Sequence, residues 1–126
     1  MTPAEFRVLR EGLGLAERDV SMLTLATETQ IKMWERGSEP VPEREGGLVA
    51  DLDREVERRL AEALVRAVSR EEITLKLFKN AMDFKKAGPD MSPIPPMLAY
   101  RCHCALVGRL ARALRRDGKT VDIVYS

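Results

Sequence analysis

Residues 13–37 read LGLAERDVSMLTLATETQIKMWERG, and two short helices are predicted in this stretch. The first covers about Ala16 to Leu23, with Leu15 leading in and Val20 and Leu23 on its inner side. Thr27 is the N-cap candidate for the second, which ends near Glu35 because Gly37 is a stop signal and Pro40 and Pro42 lie just beyond it. At about 100° per residue, Ile31 and Trp34 point one way, while Glu28, Thr29, Lys32, Met33 and Arg36 gather on the opposite side. One side anchors and the other is displayed. The displayed side combines an acid, a hydroxyl, an amine, a thioether and a guanidinium, a set able to meet base edges and phosphates in a groove. Taken alone it decides little, because the outward side of a helix is polar in almost any soluble protein.

Upstream, Thr2, Pro3 and Glu5 form a capping box with proline at the first helical position, followed by Phe6, Leu9 and Leu13 at helical spacing, and Gly14 ends this helix. Downstream, a long helix is expected from about Pro42 to Ser69, with Leu48, Val49, Leu52, Val56, Leu60, Leu64 and Val68 on one side. It is roughly 40 Å long, more than a three-helix unit can cover, and the pair Gly46–Gly47 marks a kink, a break or a junction. The period then changes. Ile73, Leu75 and Leu77 alternate with Thr74, Lys76 and Phe78, and Val121, Ile123 and Tyr125 alternate in the same way, so a strand is expected at each place. Between them come a short helical or loop piece at 80–86, a proline-rich stretch from Gly88 to Pro96, and a helix from about Met97 to Arg116. The expected fold is mainly α with a small α+β C-terminal part. Its organisation is a unit at residues 1–45, then residues 46–126 with a long connecting helix and a two-stranded module. Two strands alone are marginal, so the sheet wants either the long helix or another copy of the chain.

The 126 residues are 44% apolar and 33% charged with a formal net charge of +1, an ordinary soluble composition that excludes a disordered or collagen-like chain. No apolar run approaches the ~18 residues that span a bilayer, and the opening Met-Thr-Pro-Ala-Glu lacks the pattern of a signal peptide, so a cytoplasmic location is expected. Charge is unevenly spread. Residues 1–45 hold six Lys/Arg against nine Asp/Glu, net −3, and the remainder holds fifteen against eleven, net +4.

Residues 13–37 together with Arg10 resemble the helix-turn-helix of the Cro/cI-like XRE repressor family, over about forty residues without a gap. The matching positions are Arg10 before Leu13-Gly14-Leu15, apolar Val20 and Leu23, small Ser21, Thr27, Ile31, and the run Trp34-Glu35-Arg36-Gly37. The resemblance implies a lambda-repressor-like unit whose third helix enters the DNA major groove, with a dimer reading two half-sites. It also implies a buried Arg10–Glu35 ion pair, with Ile31 and Trp34 as anchors. Glu28, Thr29 and Met33 would then face base edges, and Lys32 would be shared between base and phosphate. Arg36 and Ser38 would hold the backbone, and the cap Thr27 and Gln30, which points more to the flank, would complete the DNA-binding set. Three positions depart from the family. Glu17 stands where a glutamine usually donates to phosphate. Leu25 stands where the turn often has a positive-φ glycine, at a cost of about 1 kcal/mol unless the turn is reshaped. The net −3 leaves little affinity to counterion release.

The second half is similar to short phage and bacterial regulators, including anti-CRISPR-associated autorepressors, in which an XRE unit precedes a long helix and an α+β dimerisation module. That likeness assigns Ile73, Leu75, Leu77, Tyr100, Val121, Ile123 and Tyr125 to a dimer interface. The expected function is a homodimeric, sequence-specific DNA-binding repressor acting on a palindromic operator and regulating itself. Two other readings stay open: an XRE-like protein-interaction module of antitoxin or anti-repressor type, and RNA binding through Arg109, Arg112, Arg115, Arg116 and Lys119. Cysteines 102 and 104 flank the single histidine, His103, but side chains at i and i+2 on a helix point about 200° apart and do not share an ion. No metal, cofactor or enzymatic constellation is predicted.

Overall fold

The helix starts in the first forty residues are fixed by short polar side chains. Thr2 Oγ1 accepts the Glu5 N–H at 3.1 Å, the Glu5 carboxylate accepts the Thr2 N–H at 2.9 Å, and Pro3 begins α1 (Pro3–Gly12). Gly14, at φ +70°, turns the chain away. Ala16 has no side chain to cap α2 (Glu17–Thr24), so the buried carboxylate of Asp19 reaches back to the Ala16 N–H at 2.7 Å. Thr27 caps α3 (Glu28–Arg36), and Gly37 closes it at φ +79°. Helices of 10, 8 and 9 residues are too short to persist alone. Packing holds them: α3 lies against both α1 and α2, and Phe6, Leu13, Val20, Ile31 and Trp34 are buried. Each such side chain contributes about 2 kcal/mol.

The computed structural model describes residues 1–126 and is mainly helical, with a small C-terminal sheet, as the sequence predicts. The long helix α4 (Glu43–Ala67) runs 25 residues, about 37 Å, without a break at the glycine pair. Gly46 is there for space: a Cβ on it would meet Val41 Cγ1 at 3.3 Å and Met1 Sδ at 3.4 Å, whereas a Cβ on Gly47 would meet nothing. The chain divides into Met1–Glu55 and Val56–Ser126, so the division lies inside α4, eight residues beyond Gly47.

In the second unit β1 (Glu72–Leu77) leads through α5 (Ala81–Ala87) and α6 (Pro96–Arg116) to β2 (Thr120–Tyr125). The two strands pair in parallel, from Glu72 opposite Thr120 to Leu77 opposite Tyr125, and the intervening helices supply the crossover that parallel strands require. Ile73 and Val121 turn inward onto Ala111 and Leu114 of α6 and Ala67 of α4. Beside this core, the Phe78, Phe84, Tyr100 and His103 rings pack with centroids 5.3–6.4 Å apart. Burial holds the His103 imidazole below its usual pKa, and its Nε2 accepts a long hydrogen bond from the Phe78 N–H at 3.5 Å. No helix is long and apolar enough to cross a membrane.

Because Gly47 sits in a helix with open space around it, Gly47→Ala should raise stability by about 0.5–1 kcal/mol, read as a shift in the urea midpoint. Gly46→Ala should gain less, since its methyl must displace Val41 and Met1.

Candidate nucleic-acid interface

Three side chains fix α3 from behind. Ile31 is fully buried, Trp34 is 4% exposed, and the Trp34 ring meets Phe6 of α1 edge-to-face at 5.8 Å between centroids. The third is Glu35. Its carboxylate accepts two parallel hydrogen bonds from Arg10, each 2.8 Å, while Arg10 Nη1 donates to the Leu15 carbonyl at 2.9 Å. The pair is nearly buried, at 12% and 10% side-chain exposure. Its hydrogen bonds hold the Arg10 pKa above the usual arginine value, and the charges of Glu35, Glu17 and Glu11 add to the effect. One guanidinium thus ties α1, the turn at Leu15 and α3 together.

On the far side, Glu28, Thr29, Lys32 and Arg36 are exposed, and Met33 is half-buried between the two sides. Thr27 and Gln30 are occupied with each other: the Thr27 hydroxyl accepts the Gln30 N–H at 3.1 Å, and Gln30 Oε1 accepts the Thr27 N–H at 2.8 Å. Ser38 is exposed, and its N–H donates to the Met33 carbonyl at 3.0 Å. The displayed surface therefore centres on Glu28, Thr29, Lys32 and Arg36, with Ser38 at its end.

The turn between α2 and α3 is not reshaped around Leu25. Leu25 takes φ +66°, the only non-glycine residue at positive φ, with its side chain 87% exposed. Two hydroxyls hold it there: Ser21 Oγ donates to the Ala26 carbonyl at 2.5 Å, and buried Thr24 accepts the Ala26 N–H at 3.3 Å while donating to Val20 O at 2.7 Å. Sequence reading missed Thr24 and Asp19. A Ser or Thr immediately before a turn was the signal for the first, and an acid three residues after a sidechain-poor helix start was the signal for the second.

Met1–Glu55 contains seven Lys/Arg and twelve Asp/Glu, net −5. Many of these acids serve the fold: Glu5 and Asp19 cap helices, Glu35 pairs with Arg10, and Glu11, Glu45 and Asp51 pair with Arg7, Arg44 and Arg54. On the displayed side of α3 the balance is two cations, Lys32 and Arg36, against one carboxylate, Glu28.

The sequence matches no known protein family, and no curated protein is significantly similar to it.

The second unit places its predicted residues differently. Ile73 and Val121, expected between copies of the chain, are buried in the unit's own core because their strand positions face α6. Leu75 and Leu77 are half-buried, and Ile123 and Tyr125 are exposed. Tyr100 donates its hydroxyl hydrogen to the chain's own Phe78 carbonyl at 2.9 Å. Three members of the basic run have local tasks. Arg109 pairs with Glu57 at 2.6 Å, Arg115 donates to Val121 O at 2.9 Å, and Lys119 Nζ donates to Val68 O and Arg70 O at 3.2 and 2.5 Å. Arg112 and Arg116 remain exposed. Cys102 is buried and Cys104 half-buried.

Two substitutions test this geometry by chemical denaturation. Leu25→Gly should stabilise the protein by about 1 kcal/mol, because glycine removes the left-handed strain and no buried contact is lost. Arg10→Met should destabilise it by about 2–4 kcal/mol, since Glu35 is left nearly buried without its partner.

Proposed function

We propose that this chain is a sequence-specific DNA-binding repressor of the Cro/cI-like XRE type, of bacterial or phage origin, acting in the cytoplasm as a homodimer on a palindromic operator and repressing its own synthesis. The observation that carries this reading is α3, clamped by Ile31, Trp34 and the Arg10–Glu35 pair so that a rigid polar surface faces solvent. Rigidity matters because base readout needs side chains held in register with groove edges, while a mobile helix spends its contacts on ordering.

Each displayed group has a chemical role in that reading. Glu28 accepts from a cytosine amino group, the Thr29 methyl meets a thymine methyl, and Met33 packs beside it from its half-buried position. Lys32 spans base edge and phosphate, and Arg36 and Ser38 hold the backbone. Glu17 repels phosphate, although the Arg10 cation lies near enough to feel its charge. With Lys32 and Arg36 as phosphate ligands on each of two protomers, about four counterions are released, so log K should fall with log salt at a slope near −3.6. That is shallow for a DNA-binding protein, and it fits an acidic unit whose selectivity rests on base contacts.

A second reading, in which α3 holds a protein partner instead, draws support from acidic Glu17 and Glu28 and from the net −5 of Met1–Glu55, which disfavours a polyanion. Selection of genomic fragments followed by titration separates the two. A repressor should bind a palindrome with half-sites about 34 Å apart, and Lys32→Glu with Arg36→Glu should abolish binding. Thr29→Ala should cost about 1–3 kcal/mol at one base pair of each half-site only. Failure to retain any fragment at low salt would remove the repressor reading.

A further inference from the structure

The two-stranded sheet has two edges, and they are not alike. Just before β1 the Glu71 carbonyl accepts the Thr120 N–H at 3.0 Å, and at the end of β1 the Leu77 carbonyl accepts the Ser126 N–H at 2.9 Å. Successive residues of a strand direct their backbone groups to opposite edges. The odd-numbered residues of β1 therefore bond to β2, and the N–H and C=O groups of Glu72, Thr74 and Lys76 line the edge that no strand covers. By the same alternation Val121, Ile123 and Tyr125 line the outer edge of β2. That edge is occupied at its first carbonyl, because Arg115 Nη2 donates to the Val121 carbonyl at 2.9 Å.

The free edge is complementary to itself. The geometry points to antiparallel pairing of β1 with β1 of a second copy of this chain, across a two-fold axis at Thr74, giving a four-stranded sheet in the order β2-β1-β1-β2. In that register Glu72 stands opposite Lys76 twice, Thr74 stands opposite itself, and Ile73 stands opposite Leu75 twice. Glu72, Thr74 and Lys76 are all exposed and share the face away from α6, so both ion pairs and the threonine pair form on the solvent side. The half-buried Leu75 on the α6 side gains Ile73 of the second copy as a cross-strand neighbour.

Other registers lose this match. Centring on Leu75 puts Lys76 opposite Thr74, and centring on Ile73 puts Glu72 opposite Thr74. Pairing through β2 would oppose Asp122 to itself or to Val124. The same two-fold satisfies the backbone: Thr74 exchanges two hydrogen bonds with its counterpart, and Glu72 and Lys76 exchange two on each side. The identity of the interface rests on the homodimer in the proposed function, but its test uses no DNA.

Sedimentation equilibrium of the full chain should show a dimer. Glu72→Lys opposes lysine to lysine twice, and Lys76→Glu opposes glutamate to glutamate twice, so each should weaken the dimer on the order of tenfold. The double variant E72K/K76E restores both pairs and should restore the wild-type dissociation constant, an outcome that loss of folding in the single variants cannot imitate. Backbone amide exchange adds a direct readout: the Glu72, Thr74 and Lys76 N–H groups should be protected in the dimer and less protected in either single variant at the same concentration. A wild-type monomer, or a dimer indifferent to the single variants with these three amides unprotected, overturns the pairing. A charge-insensitive dimer that still binds a palindrome would do so while leaving the repressor reading intact.

Discussion

The first unit depends on one guanidinium. Arg10 has a planar fork whose two parallel donors match the Glu35 carboxylate, and a third nitrogen remains for the Leu15 carbonyl. A lysine could supply the charge, but not three donors fixed in one plane. The contact ties elements that hydrophobic packing alone would leave free to slide, because Ile31 and Trp34 fix which side of α3 faces inward without fixing its position along its own axis. Arg10 supplies that second constraint. It also accounts for part of the acidity: Glu35 is turned inward onto the cation, and the charges of Glu17 and Glu11 stabilise it further.

What was legible in the sequence was local. The capping box at Thr2, the cap at Thr27 and the stop at Gly37 each involve residues within one helical turn, and all form as spaced. The Arg10–Glu35 pair is 25 residues apart and was legible only through a family resemblance. Leu25 exposed a limit of propensity. Its backbone strain was visible in the residue type, but the hydroxyls of Ser21 and Thr24 that hold the turn lie on the preceding helix. The glycine pair misled for a similar reason: whether glycines bend a helix or admit a neighbour depends on what approaches, here Met1, forty-five residues earlier.

The strands show the same boundary between local and tertiary information. Period-two alternation located both to within a residue at either end, and the exposed Glu72, Thr74 and Lys76 follow from it. Alternation says nothing about direction or about the target of the inward residues. Parallel pairing comes from the α5–α6 crossover, and it sends Ile73 and Val121 into the unit's own core instead of toward another chain. The residues that distinguish the two edges are then polar ones that hydropathy discounts: Arg115 on one edge, and Glu72 with Lys76 on the other.

Charge has been used in two different ways along this chain. In Met1–Glu55 Glu5 and Asp19 cap helices and Glu11, Glu35, Glu45 and Asp51 pair with arginines, while the cations on α3 face solvent beside a carboxylate. A surface of that kind has little long-range pull on a polyanion, so under the proposed function discrimination would come from short-range geometry, which the Arg10–Glu35 clamp supports. In Val56–Ser126, Arg115 and Lys119 are spent on backbone carbonyls at the ends of strands and helices. The Arg115 bond occupies a carbonyl on the outer edge of β2, and no such bond lies on the outer edge of β1. A cation that covers a carbonyl makes an edge inert, whereas a cation facing an acid of its own strand makes an edge specific for a copy of itself. Fold and association would then use the same side-chain chemistry, separated only by which edge the backbone presents.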